Sequence, residues 1–212
     1  MALKRLVVLI SGSGSNLQAL IDNAGEQTGY KIVAVISNKA TAKCLRRAQK
    51  VGIATAVVDH TKFDSRESFD TALLAAVQHH NSDIIALAGF MRILTPIFVA
   101  PFEGRMLNIH PSLLPKYTGL NTHQRAIDAG DDSAGCTVHF VSEALDGGPP
   151  AIQASVTIDD TETAESLATK VLVQEHKIYP LAVQWLAQER LVLDNGKAML
   201  DGKALAPSGY SI

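Results

Sequence analysis

Asn108 and His110 stand two residues apart in Met106-Leu107-Asn108-Ile109-His110-Pro111, and an extended strand sends alternate side chains out by the same face. An amide and an imidazole are thereby aimed together. Both can direct N–H groups at one point, which is what an oxyanion developing on a carbonyl requires. Pro111 gives no donor to a sheet ladder and biases His110 toward extended backbone, so the strand should stop there with the imidazole at its carboxyl end. Open parallel sheets hold their ligands at that edge. A capped strand end with an ordinary hydrogen-bonded histidine would contain the same residues.

The run Ser11-Gly12-Ser13-Gly14-Ser15-Asn16 joins the β-rich stretch Arg5–Ile10 to a segment where Leu17, Leu20, Ile21 and Ala24 recur at helical spacing. Glycines there let backbone approach an anion, and Ser15, Asn16 and the free N–H groups of a first helical turn suit a phosphate. Leu17 replaces the third glycine of a dinucleotide fingerprint, and the second strand, Ile32–Ile36, ends in Ser37-Asn38 rather than a ribose-binding acid. A nicotinamide cofactor is therefore disfavoured. No Gly-Lys-Ser/Thr sequence supplies a nucleoside triphosphate loop. The segment reads as a site for one phosphate monoester, the alternative being a tight turn whose small residues serve packing.

After the fourth strand, Ile84–Ala88, comes an apolar loop, Gly89-Phe90-Met91-Arg92-Ile93-Leu94. It could line a slot for a flat heterocycle, with Arg92 at the mouth for a carboxylate, or form a satellite core under the loop. Asp146 opens Asp146-Gly147-Gly148-Pro149-Pro150, and on its own an Asp-Gly pair is turn chemistry. Gln174, Glu175 and His176 belong to a helix capped by Thr161 or Thr163 and running toward Tyr179, where Pro180 should kink or interrupt it. Such residues ordinarily form a solvated face.

Strands and helices alternate along the first part of the chain. Ala42–Lys50 reads as a helix ended by Gly52, Ile53–Val58 as the third strand, and Ser65 as the cap of a helix carrying Phe69, Leu73, Ala76 and Val77 on one face. Thr95-Pro96 starts a short helix. Further on, His123–Ala129 is helical, Cys136–Val141 is a strand with His139 on the face of Thr137 and Val141, and Ala151–Ile158 returns antiparallel. A hairpin turning at Asn195-Gly196 closes the chain. The expected fold is α/β: an open, mainly parallel Rossmann-like sheet flanked by helices, with antiparallel strands near the C-terminal side. Residues 1–212 are expected to form one domain, with 1–100 as a phosphate-binding βαβ half.

At 212 residues and 47% hydrophobic content the chain can bury a full core. A net charge of −2 without a long basic run gives no footprint for a nucleic-acid backbone. No apolar run approaches a membrane span and the N-terminus has no signal-peptide pattern, so a cytoplasmic protein with no membrane partner is expected. Cys44 and Cys136 lack paired spacing, which suits reduced structural thiols. His110, His123, His139 and Asp146 match no standard zinc motif, and no metal is expected, although a metal hydrolase built from those four is a rival reading. A non-catalytic phosphate binder is another.

The Ser11–Asn16, Gly89–Leu94, Asn108–Pro115 and Leu145–Pro149 segments together resemble the folate-dependent formyltransferases, in that family's order and spacing, from about Val7 to about Gly209. The resemblance implies an enzyme that transfers a formyl group from 10-formyltetrahydrofolate to the amine of glycinamide ribonucleotide in purine biosynthesis, by direct attack in a ternary complex. It implies Asn108, His110 and Asp146 as the catalytic trio, with Asp146 orienting His110 and favouring its charge. It places the ribonucleotide on Gly12, Ser13, Gly14, Ser15, Asn16, Gln174 and Glu175. Folate would lie against Phe90, Met91, Arg92, Ile93 and Leu94, with Val99, Val141, Ser142, Glu143 and Ala144 opposite and Arg66 joining Arg92 at the glutamate tail. Residues 101–212 become the catalytic and folate-binding half. The partners implied are small-molecule substrates, in a monomer or weak homodimer. Asn121 stands where several bacterial members have histidine, and Thr118 replaces a frequent proline. The family also formylates methionyl-tRNA and hydrolyses the formyl donor. The first is expected with an added RNA-binding domain, for which no room is expected after Ile158, and the second with an added N-terminal regulatory domain, whereas this sequence opens on its expected first strand.

Overall fold

The computed structural model describes residues 2–212. One eight-stranded sheet runs through the molecule, and its strands are β1 (Lys4–Ile10), β2 (Tyr30–Ser37), β3 (Ala54–Val57), β4 (Ile84–Leu87), β5 (Met106–His110), β6 (Ser133–Phe140), β7 (Pro150–Thr157) and β11 (Tyr210–Ser211), in the spatial order β11-β7-β6-β5-β4-β1-β2-β3. From β3 to β5 all neighbours are parallel, and β6 is antiparallel to both β5 and β7. The helices are α1 (Ser15–Asn23), α2 (Lys43–Lys50), α3 (Arg66–His79), α4 (Pro96–Val99), α5 (Thr122–Asp128) and α6 (Ala164–Ala187).

The unbroken apolar run in β1 is explained by its place between β4 and β2, where both faces are covered. Leu6, Val8 and Ile10 pack with α1, α2 and α6, while Val7 and Leu9 pack with Phe69, Leu73 and Val77 of α3 and Phe98 of α4. Alternation along one strand thus divides the core into two layers. Ser65 caps α3 and Thr163 caps α6, each in a reciprocal capping box.

Pro180 does not interrupt α6, which runs on to Ala187. The reason is burial on both sides of the proline. Tyr179, Pro180, Ala182 and Val183 are all core residues, and the Tyr179 hydroxyl donates to the Leu87 carbonyl at 2.9 Å. Packing of a helix face outweighs one missing helical hydrogen bond. The C-terminal hairpin forms as β8 (Leu191–Asp194) and β9 (Lys197–Leu200), with a third short strand, β10 (Lys203–Ala204), beside it. β11 then returns to pair with β7 in parallel, a connection carried by a two-residue strand that no periodicity announces.

Candidate active site

β5 ends at His110 as Pro111 requires, and the antiparallel neighbour β6 sets His139 directly across from Asn108. His110 is 5% exposed. Its Nε2 lies 2.9 Å from the carbonyl oxygen of Tyr117, a group that only accepts, so Nε2 carries a proton. Its Nδ1 faces Asp146 Oδ2 at 3.5 Å. The Nε2 contact is a hydrogen bond, and the Nδ1 contact is a charge contact with the carboxylate.

Asp146 adopts a left-handed backbone with φ of 50°, a conformation that Asp and Asn tolerate better than most residues. The turn chemistry read from the sequence is real, and it also turns the carboxylate inward. Asp146 Oδ2 accepts from the Gly119 N–H at 2.8 Å, which ties the segment after β6 to the loop after β5. Asn121, with φ of 58°, sits in the same left-handed region at the start of α5. His123 on α5 is pushed below the usual histidine range by burial and by the His110 charge.

A cleft opens beside these groups, lined by Phe90, Arg92, Ile93 and Leu94 on one side and by Val141, Ser142, Glu143, Ala144, Leu145 and Asp146 on the other, with Asn108 and His139 contributing polar atoms. Two residues expected at this slot are not among its lining side chains. Val99 is 4% exposed and belongs to the core layer around Phe98, because the short α4 turns that side inward. Met91 is 62% exposed, and its backbone N–H is anchored at 2.8 Å on Ser11 Oγ. Arg66 donates to the Ile93 carbonyl at 2.9 Å and so braces the loop. Arg92 places its guanidinium 5.8 Å from the centre of the Phe69 ring at the cleft edge.

In the Gly12–Asn16 loop, Gly14 has φ of 85°, and a Cβ on it would come within 2.9 Å of Cys44 Cβ. Ser15 begins α1, and Gly12 and Ser13 are exposed. Asn16 is buried and donates from Nδ2 to Glu175 Oε2 at 2.6 Å, while its Oδ1 is buried with no donor. Glu175 is thus not part of a solvated face. Burial pushes its carboxyl above the usual range, opposed by the Asn16 bond and the His110 charge. Gln174 points to a different neighbour, with its Oε1 3.4 Å from Lys177 Nζ. Arg47 of α2, which carried no signal of its own in the sequence, donates from Nε to the Ser13 carbonyl at 3.0 Å. Among the described residues, no group of three or more His, Cys, Asp and Glu side chains is placed to hold a metal ion, and no helix is long and apolar enough to cross a membrane.

The mainly parallel sheet, with a polar cluster at the carboxyl edge of its central strands, defines a class before any particular relative is considered. Residues 4–183 match the formyl transferase family, and the chain belongs to it. It is 49% identical over 208 residues to the phosphoribosylglycinamide formyltransferase of Escherichia coli, covering 97% of this chain and 98% of that one. The human trifunctional purine biosynthetic protein adenosine-3 is 46% identical over 195 residues, 91% of this chain and 19% of the larger protein. Among solved structures, the phosphoribosylglycinamide formyltransferase of Coxiella burnetii superposes with a TM-score of 0.95 at 48% identity, covering 99% of each chain.

Proposed function

We propose that this chain transfers a formyl group from 10-formyltetrahydrofolate to the amine of glycinamide ribonucleotide, a step of purine biosynthesis, by direct attack with both substrates bound. The observation that carries the reading is a juxtaposition on one sheet edge. Asn108 and Asp146 line the cleft with the Phe90–Leu94 loop, and His110, beside Asp146, is close enough to Glu175 for its charge to act on that carboxyl. A flat donor in the cleft and a phosphate-bearing amine along Gly12–Asn16 would meet at the trio. Matching relatives of the same length carry the name of this activity.

Asn108 and the doubly protonated His110 stabilise the oxyanion that forms when the amine adds to the formyl carbon. Asp146 holds His110 in the orientation and protonation state that this needs. Once the amine has added, collapse of the oxyanion re-forms the carbonyl and breaks the old bond to the folate nitrogen, and the proton lost by the amine reaches the leaving nitrogen through solvent. No protein nucleophile takes part, so holding both reactants in register supplies much of the acceleration. The Gly12–Asn16 half, residues 1–100, and the trio-bearing half, residues 101–212, act as one unit because β4 and β5 are adjacent strands. The ribonucleotide phosphate lies on the loop with Glu175 at the ribose or amine end, and Arg66 and Arg92 meet the glutamate tail. The test is an assay with 10-formyltetrahydrofolate, with and without glycinamide ribonucleotide. Formyl transfer that requires the ribonucleotide is expected, and formyl loss at the same rate without it would reassign the chain to donor hydrolysis.

A further inference from the structure

We propose that His139 is a positioning residue that fixes which edge of the Asn108 amide faces the reacting carbonyl, an inference that rests on the formyl-transfer reading above. His139 lies across the β5–β6 ladder from Asn108 and is 2% exposed. Its Nδ1 stands 2.8 Å from the backbone carbonyl of Phe140. A carbonyl only accepts, so Nδ1 holds the proton. The ring is kept neutral by burial, which pushes its pKa down to about 4 against the weaker opposing pull of the Phe140 bond and Asp146. A neutral imidazole with its proton on Nδ1 has a bare lone pair on Nε2. That lone pair is 3.0 Å from Asn108 Nδ2.

The consequence for Asn108 is directional. With Nε2 an acceptor, the amide presents N–H and not its carbonyl oxygen to His139, and the NH2 group keeps a second N–H for the substrate. Turned over, the amide would set its oxygen against the His139 lone pair. The Phe140 carbonyl thus fixes the tautomer of His139, and His139 fixes the orientation of Asn108. Asp146 does not compete for this contact, because its nearer oxygen is 3.8 Å from His139 Nε2 and a carboxylate and a lone pair do not hydrogen-bond. The second Asp146 oxygen stays with Gly119 and His110.

The experiment combines a spectroscopic and a kinetic measurement. In protein labelled with 15N in its histidine rings, His139 is expected as the Nδ1–H tautomer, which is the minor one of free imidazole side chains. His139→Phe keeps a flat ring and removes the acceptor, whereas His139→Gln keeps an acceptor. We expect His139→Phe to lower kcat by about tenfold or more while both KM values move by less than about threefold, and His139→Gln to recover most of that loss. In an Asn108→Ala background the His139→Phe change should cost less than about twofold, since the residue acts through Asn108. Losses that multiply in the double variant, or an Nε2–H tautomer, would overturn the proposal. If His139→Phe fails to fold, the tautomer and the His139→Gln kinetics still decide it. Absence of formyl transfer in the unaltered protein would sink the functional reading and leave the NMR result standing.

Discussion

The Asn16 amide donates to the Glu175 carboxylate at 2.6 Å across 159 positions of sequence, joining the first turn of α1 to the middle of α6. The pair is buried, and it leaves Asn16 Oδ1 without a donor. A carboxylate held in such a place costs stability in the free protein, a cost that a bound partner group would offset.

Glu175→Gln separates those two roles. Its carboxyl is raised above the usual range by burial, so the folded state holds the proton more tightly than the unfolded chain, and stability is lost as pH rises through the folded value. Removing the charge should raise the thermal midpoint by several degrees at pH 8 and leave it nearly unchanged at pH 4. The KM for the ribonucleotide should rise about tenfold or more, because the amide cannot hold a cationic or donor-rich end as a carboxylate does. Paired thermal melts at the two pH values, with steady-state kinetics, check both; a lower midpoint at pH 8 would show that the charge supports the fold.

Gly14→Val tests the loop on the other side of that pair. A side chain at φ of 85° is strained, and its first carbon would meet Cys44 Cβ at 2.9 Å, so the backbone N–H groups around Ser13 and Ser15 must move. Ribonucleotide affinity should fall by about a hundredfold while folate affinity holds within a few-fold. Isothermal calorimetry with each ligand reads this. Equal weakening of both would point to a general folding defect.

The strands, most helices and the shared strand face of Asn108 and His110 are legible from sequence because they rest on local rules: β1 on a doubly buried apolar run, α3 on a Ser65 cap, and the end of β5 on Pro111. Asp146 was legible only through resemblance, since a turn residue gives no sign of what its carboxylate faces until the Gly119 contact is formed. His139 was missed as a partner of Asn108 for the same reason. Its face could be read, but the β5–β6 register that sets the two opposite each other could not. Glu175 is buried and Pro180 lies within an unbroken α6 because tertiary burial of that helix overrides what their residue types favour in isolation, and the inward side of Val99 is unreadable because a four-residue helix gives no periodicity.

Asp146→Asn keeps the left-handed backbone at φ of 50° and an oxygen for the Gly119 N–H, and removes only the charge beside His110. Turnover should drop by about a hundredfold with the thermal midpoint within a degree or two. Asp146→Ala also forfeits the Gly119 bond and the tolerance for that backbone, so it should add a stability loss of about 1–3 kcal/mol. Urea titrations of the two variants distinguish charge from turn. Near-normal turnover in Asp146→Asn would return the residue to its turn role.

His139 carries the remaining prediction, in acid. Burial places its folded pKa at about 4, against a reference of about 6.5 for an exposed histidine. Between those values the unfolded chain takes up a proton that the folded protein refuses, so stability is fully present above pH 6.5 and drains away as pH falls toward 4. Below that value both states are protonated and the loss stops. The difference amounts to about 3 kcal/mol, with little solvent screening because the residue is 2% exposed. Asp146 and His110 face the ring, and Glu175 titrates with the opposite sign, so the curve of the unaltered protein mixes several groups. Subtracting the curve of His139→Gln, which keeps those neighbours, isolates this one. Urea unfolding of the two proteins at half-unit steps from pH 7.5 to 3.5 should give a stability difference that changes by about 3 kcal/mol in favour of the variant across the interval. A difference that stays flat would mean that His139 takes up its proton over the same pH range folded as unfolded, so that burial does not hold the ring neutral in acid. Its Nε2 would then stop accepting from Asn108 as pH falls through about 6.5 rather than about 4.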